Sequence, residues 1–155
     1  MLQVAFFYIK PLTISFYTPF LNLCTPRFSD TLTGMETFTL VRPEHLNHYG
    51  FLFGGQLLKW VDEYAWLAAA RDFPGRILLT RALDRSEFTT SVKSGSILRF
   101  SISRKSCGVT SVCYAVSVFN NDTLDRDRPV FSTDVTFVCV DEKGAKQPLT
   151  DVSRV

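Results

Sequence analysis

GGQLLKWVDEYAWLAAARDF, residues 54–73, is the stretch whose reading decides the fold. Ala, Leu, Gln, Lys and Glu dominate it, all residues that lose little on entering a helix, and no proline interrupts it. Pro74 and Gly75 then supply the stop. The composition predicts a single long helix. Leu57, Leu58, Trp60, Val61, Ala65, Leu67 and Ala68 spread around most of its circumference, which predicts burial on nearly all sides. Gly54 and Gly55 open the helix without a Cβ to shield its first N–H groups, and Asp62 follows Gly55 by about two turns.

Upstream of this helix, METFTLVR (residues 35–42) alternates, with Phe38 and Leu40 on one face, and reads as a strand stopped by Pro43. A loop covers residues 44–53. Downstream, residues 77–88, 96–104, 109–119 and 130–140 are rich in Val, Ile, Phe and Thr and read as strands. Turn-forming residues separate them at 93–95, at Cys107 and Gly108, at 120–129 and at 141–144. The order is strand, helix, four strands, and the short spacings favour antiparallel neighbours. An α+β architecture follows: a five-stranded antiparallel sheet curled around one long central helix. Apolar side chains remaining on the far side of that helix predict a homodimer, which can assemble further.

With 155 residues, 46% of them hydrophobic, the chain suits one domain with a single core. A net charge of +2, without Lys and Arg runs interleaved with aromatics, argues against a nucleic-acid surface. Cys24, Cys107, Cys113 and Cys139 form no Cys-x-x-Cys pair and no cluster with His, so neither metal nor redox motif is signalled. Cys107 and Cys113, read as one strand, lie roughly 20 Å apart. Unpaired cysteines suit a reducing, cytoplasmic compartment. Residues 1–34 are rich in Phe, Tyr, Thr and Pro; Pro11, Pro19 and Pro26 argue against a membrane span, and Lys10 falls after the apolar run instead of before it, unlike a signal peptide. The periodic pattern begins at Met35. Residues 1–34 are accordingly expected to be an extension outside the folded domain, residues 35–150 the domain, and 151–155 a tail.

Taken residue by residue, the chemistry is open. Asp62 and Glu63 fit a solvated strip, or Asp62 is a functional carboxylate on a buried helix. Gly54 and Gly55 fit a flexible loop, or they let a ligand approach free N–H groups suited to an oxyanion. Asn47 fits a turn. His45 and His48 fit a loop, with no Ser or Cys nucleophile spaced to pair with them.

The run NHYGFLFGGQLLKWVDE, residues 47–63, resembles the N-x-x-G-x-x-F-G-G signature and Asp-bearing helix of hotdog-fold acyl-CoA thioesterases. TRALDRSEF (80–88), CGVTSV (107–112) and FVCVDEKG (137–144) are similar to later segments of that family, in the same order. The resemblance implies hydrolysis of an acyl-CoA thioester, with no metal or bound cofactor. It also implies roles. Asp62 would act as general base or nucleophile, Asn47 would hold the substrate carbonyl or the water, and Gly55 with Gly54 would donate to the oxyanion. Thr80 matches a hydroxyl that orients water. Gly108, Thr110 and Ser111 match the segment that contacts coenzyme A, with Arg104 and Lys105 as candidate phosphate partners. Val109 stands where the family often has a basic residue, and Thr90, Ser91, Gly95 and Ser96 depart from its Arg-Pro and Gly-Asp. Two other readings stay open: a non-catalytic acyl-CoA-binding module, and a hydratase or dehydratase of the same fold.

Overall fold

A computed structural model describes residues 34–122 and 127–149. The expectations for residues 1–33 and 150–155 lie outside the described residues. The elements run β1 (Met35–Leu40), a 3-10 turn (Pro43–His45), α1 (Gly54–Asp72), β2 (Ile77–Leu83), β3 (Glu87–Phe88), β4 (Ile97–Cys107), β5 (Ser111–Asn120) and β6 (Phe131–Val140). All pairings are antiparallel in the order β1-β4-β5-β6-β2, with β3 also against β6. The helix lies on one face of this curled sheet, the hotdog arrangement.

The core forms where the two periodicities meet. Alternate residues of the strands point inward: Leu98, Phe100 and Ile102 from β4, Val112, Tyr114, Val116 and Val118 from β5, Phe131, Val135, Phe137 and Cys139 from β6. Against them α1 sets Leu57, Trp60, Val61, Ala65, Ala68 and Ala69 at helical spacing. Polar contacts pin the helix to β1 and β5. Tyr64 Oη lies 2.6 Å from Thr39 Oγ1 on β1, and the buried Tyr114 hydroxyl donates to Asp72 Oδ2 at 2.7 Å. Burial and that bond push the Tyr114 phenol well above its ordinary range, so it stays a donor.

Several expectations need correction. Within one chain α1 is buried along a single stripe, not nearly all round: Trp66 is 42% and Leu67 45% exposed on the opposite side. The predicted strand over 77–88 is broken. Asp84 N–H still reaches Asp134 O and Glu87 pairs with Ser132, but Arg85 and Ser86 together oppose the one residue Thr133, whose hydroxyl meets Asp84 O and Ser86 Oγ. Five lanes of sheet therefore hold six strands. Phe38 and Leu40 share a face, as expected, yet it is the outer one, and they are 55% and 49% exposed. Cys107 and Cys113 lie on two strands, because residues 108–110 form a turn that places Cys107 opposite Val112 and Cys113 opposite Ser106. Both remain free thiols.

Candidate functional site

The start of α1 is built for access. Phe53, the N-cap, offers no side-chain cap, and its carbonyl accepts from Gln56 N–H (3.0 Å) and Leu57 N–H (3.2 Å). The N–H groups of Gly54 and Gly55 meet no backbone acceptor among the described residues. A Cβ on Gly55 would stand 2.5 Å from Cε1 of the exposed Phe53 ring and displace it, whereas one on Gly54 would only touch Phe88 at 3.5 Å. Helix polarity gives these two donors a partial positive charge.

The preceding loop folds back as a short hairpin. Phe53 N–H donates to His45 O at 2.9 Å, Leu46 bridges Leu52, and Asn47 N–H donates to Phe51 O at 2.7 Å. Asn47 Oδ1 accepts from Tyr49 N–H (2.9 Å) and Phe51 N–H (3.2 Å), an Asx turn that fixes the amide's orientation. The turn reading and the functional reading are thereby reconciled, since the oxygen holds the loop and the NH2 is the end left to offer. His45, Asn47, His48, Phe53 and Gln56 line a cleft of about 470 Å3. Phe53 and Gln56 are site residues that the sequence reading passed over; their position on either side of the glycine pair was the available signal.

Asp62 sits elsewhere. Its Oδ1 accepts a 2.7 Å hydrogen bond from Thr80 Oγ1 on β2, which orients the carboxylate and leaves Oδ2 open. From Gly55 to Asp62 the helix rises about 10 Å at 1.5 Å per residue, and both lie on nearly the same side of it. The structure thus brings Asp62 together with Thr80, and places Asn47 in a cleft with Phe53 and Gln56, the residues that flank Gly54 and Gly55, about two turns of helix away from Asp62.

The residues expected around coenzyme A divide likewise. Gly108, Thr110 and Ser111 form the β4–β5 turn, closed by Gly108 N–H to Ser111 O at 2.8 Å. Arg104 and Lys105 are not joined to one another as a phosphate pair. Arg104 lies opposite Tyr114 on the inner face, its guanidinium 5.9 Å from the centre of the Phe73 ring. Strand alternation sends Lys105 to the outer face, where it pairs with Asp134, beside the bulge between Arg104 and Ser106. That hydrogen bond raises the Lys105 pKa. Among the described residues no helix is long and apolar enough to cross a membrane.

Residues 49–125, from the loop through β5, match the family model described as the thioesterase superfamily. Those residues, just under half of the chain, are similar to that superfamily. Among the chain's relatives, mouse acyl-coenzyme A thioesterase 11 is 28% identical over 119 residues, which is 76% of this chain and 20% of that protein. Mouse acetyl-coenzyme A thioesterase is 32% identical over 87 residues, 48% of this chain and 16% of that protein. The match therefore spans a fifth or less of the length of these relatives. A solved hexameric acyl-CoA thioesterase superimposes with a TM-score of 0.68 at 29% identity, covering 76% of each chain. The acyl-CoA hydrolase of Staphylococcus aureus, solved with butyryl coenzyme A, gives 0.68 at 24% identity over 76% of this chain and 72% of its own. These superpositions place the chain in the hotdog fold.

Proposed function

We propose that this protein hydrolyses an acyl-CoA thioester to a carboxylic acid and coenzyme A. One observation carries the reading: a carboxylate held by a hydroxyl, Asp62 on Thr80, and, on the same side of the same helix, N–H donors at Gly54 and Gly55 without a backbone acceptor, flanked by Phe53 and Gln56 of the cleft that Asn47 lines. Asp62 takes a proton from water as it adds to the thioester carbon, or attacks that carbon itself. The carbonyl oxygen gains charge and accepts from Gly55 N–H, with Asn47 Nδ2–H beside it, where one such donor is worth about 3–4 kcal/mol. Collapse breaks the C–S bond. In the first route the proton held by Asp62 passes to the departing thiolate. In the second the thiolate leaves an acyl anhydride on Asp62, which water hydrolyses to the acid and the regained carboxylate while one proton goes to the thiolate. No metal or bound cofactor enters the scheme.

Because about 10 Å of helix separates Asp62 from Gly55, one carbonyl group cannot touch both within a chain. A homodimer resolves this by joining Asp62 of one chain to Gly55 and Asn47 of the other. The free edge of β2 and the exposed Ile77, Leu79, Leu83, Trp66 and Leu67 supply the apolar surface for it. A hexamer of the kind formed by a solved relative is the natural extension. The β4–β5 turn at Gly108, Thr110 and Ser111 is the proposed contact for the coenzyme A moiety, and a reducing, cytoplasmic setting the proposed location.

Purified protein assayed with a thiol-trapping reagent on acyl-CoA substrates of graded chain length is expected to release stoichiometric thiol and acid, and to run as a dimer or multiple of dimers in light scattering. Tight coenzyme A binding without thiol release from any substrate would instead favour the non-catalytic module.

A further inference from the structure

We infer that His45 is a ligand-binding residue of the cleft: its neutral imidazole, with the proton fixed on Nε2, donates to a carbonyl oxygen of the acyl-CoA arm beside Asn47. This rests on the thioesterase reading. The tautomer follows from the turn at Pro43–His45, where Arg42 N–H donates to His45 Nδ1 at 3.1 Å. An Nδ1 that accepts leaves the proton on Nε2. The ring is also held by Trp60, edge to face, with centroids 4.8 Å apart.

Its direction follows from the backbone. His45 and Asn47 flank Leu46, which is extended and bridged to Leu52, so they lie on one side of the strand-like run, and both line the cleft. No acceptor meets His45 Nε2 among the described residues, and no buried side-chain nitrogen or oxygen there lacks a partner. Nε2 is therefore open to solvent, on a residue that lines the cleft. The turn by itself does not call for an imidazole, because Asn, Asp or Ser can accept a local backbone N–H with a single oxygen. What histidine adds is the second nitrogen. Its own carbonyl, bonded to Phe53 N–H at 2.9 Å, ties that donor to the residue before Gly54.

Coenzyme A thioesters offer two kinds of carbonyl oxygen, the pantetheine amides and the thioester, and two substitutions with two readouts separate them. His45→Asn superposes Oδ1 on Nδ1, keeping the turn and removing the Nε2 donor; His45→Gln keeps a donor near Nε2 and removes the Nδ1 acceptor. Free coenzyme A binding by calorimetry and the kcat and KM of hydrolysis are measured for each, with thermal melting as the check on folding. We expect His45→Asn to melt as the wild type and lose about tenfold, and His45→Gln to stay within about threefold. A loss in free coenzyme A affinity with kcat unchanged identifies an amide carbonyl; a loss in kcat with coenzyme A affinity unchanged identifies the thioester. Wild-type values of both in a folded His45→Asn protein overturn the inference, as does a nitrogen-15 spectrum showing the proton on Nδ1. A wild-type protein that shows the Nε2–H form, with that signal shifting on addition of coenzyme A, yet releases no thiol removes the hydrolase reading and leaves His45 as a ligand-binding residue.

Discussion

Asp62→Asn is expected to lower thiol release from acyl-CoA by two to four orders of magnitude, the usual contribution of a positioned base, without altering melting or assembly. The asparagine oxygen can still accept from Thr80 Oγ1, now 2.7 Å from Asp62 Oδ1, so the geometry survives and only the basicity goes. A variant that retains full activity would remove Asp62 from the mechanism. Mixing sharpens the test. If Asp62 of one chain works with Asn47 of the other, Asp62→Asn and Asn47→Ala proteins, unfolded and refolded together, form mixed dimers with one intact site each. About a quarter of wild-type activity then returns, since half the dimers are mixed and half their sites are whole. A site complete within one chain gives no such recovery.

Phe100→Ala is expected to cost about 3–5 kcal/mol, a large share of the stability of a domain this size. Phe100 is fully buried on β4 and receives Tyr64 and Trp60 edge-on, at 4.9 Å and 6.4 Å between ring centres. Those two residues stand on either side of Asp62 in α1. The cavity left by the ring would therefore loosen the helix at the carboxylate as well as weaken the core. Urea unfolding followed by circular dichroism checks the first effect; a fall in kcat greater than the fall in folded fraction checks the second. A shift below about 1 kcal/mol would mean that the sheet and helix close over the gap.

Much of this was legible because local and global signals agree along residues 54–73 and through the Val-, Ile- and Phe-rich strands. The glycine pair and Asp62 could be placed on one helix from spacing alone, but Thr80 could be set against Asp62 only once β2 was known to lie at the sheet edge. The bulge at Arg85 and Ser86 has no local signature, since it depends on Thr133, some 47 residues away from Ser86. The turn between Cys107 and Ser111 was partly hidden because Val109 and Thr110 favour strands. The split between Arg104 and Lys105 follows from strand alternation and was open to be read, but their partners, the Phe73 ring and Asp134, come from segments that only the fold brings near. Trp66 and Leu67 illustrate a different limit: periodicity reports that a side chain is apolar, not whether its own chain covers it.

Trp66 donates its indole N–H to Leu78 O, 3.2 Å away on the edge strand, while Trp60, the other tryptophan, is buried in the core. The molecule thus carries two intrinsic fluorophores in contrasting surroundings. Diluting the proposed dimer should redden and dim the emission of Trp66 alone, while unfolding moves both. A single optical signal can then separate the parting of subunits from the melting of each one.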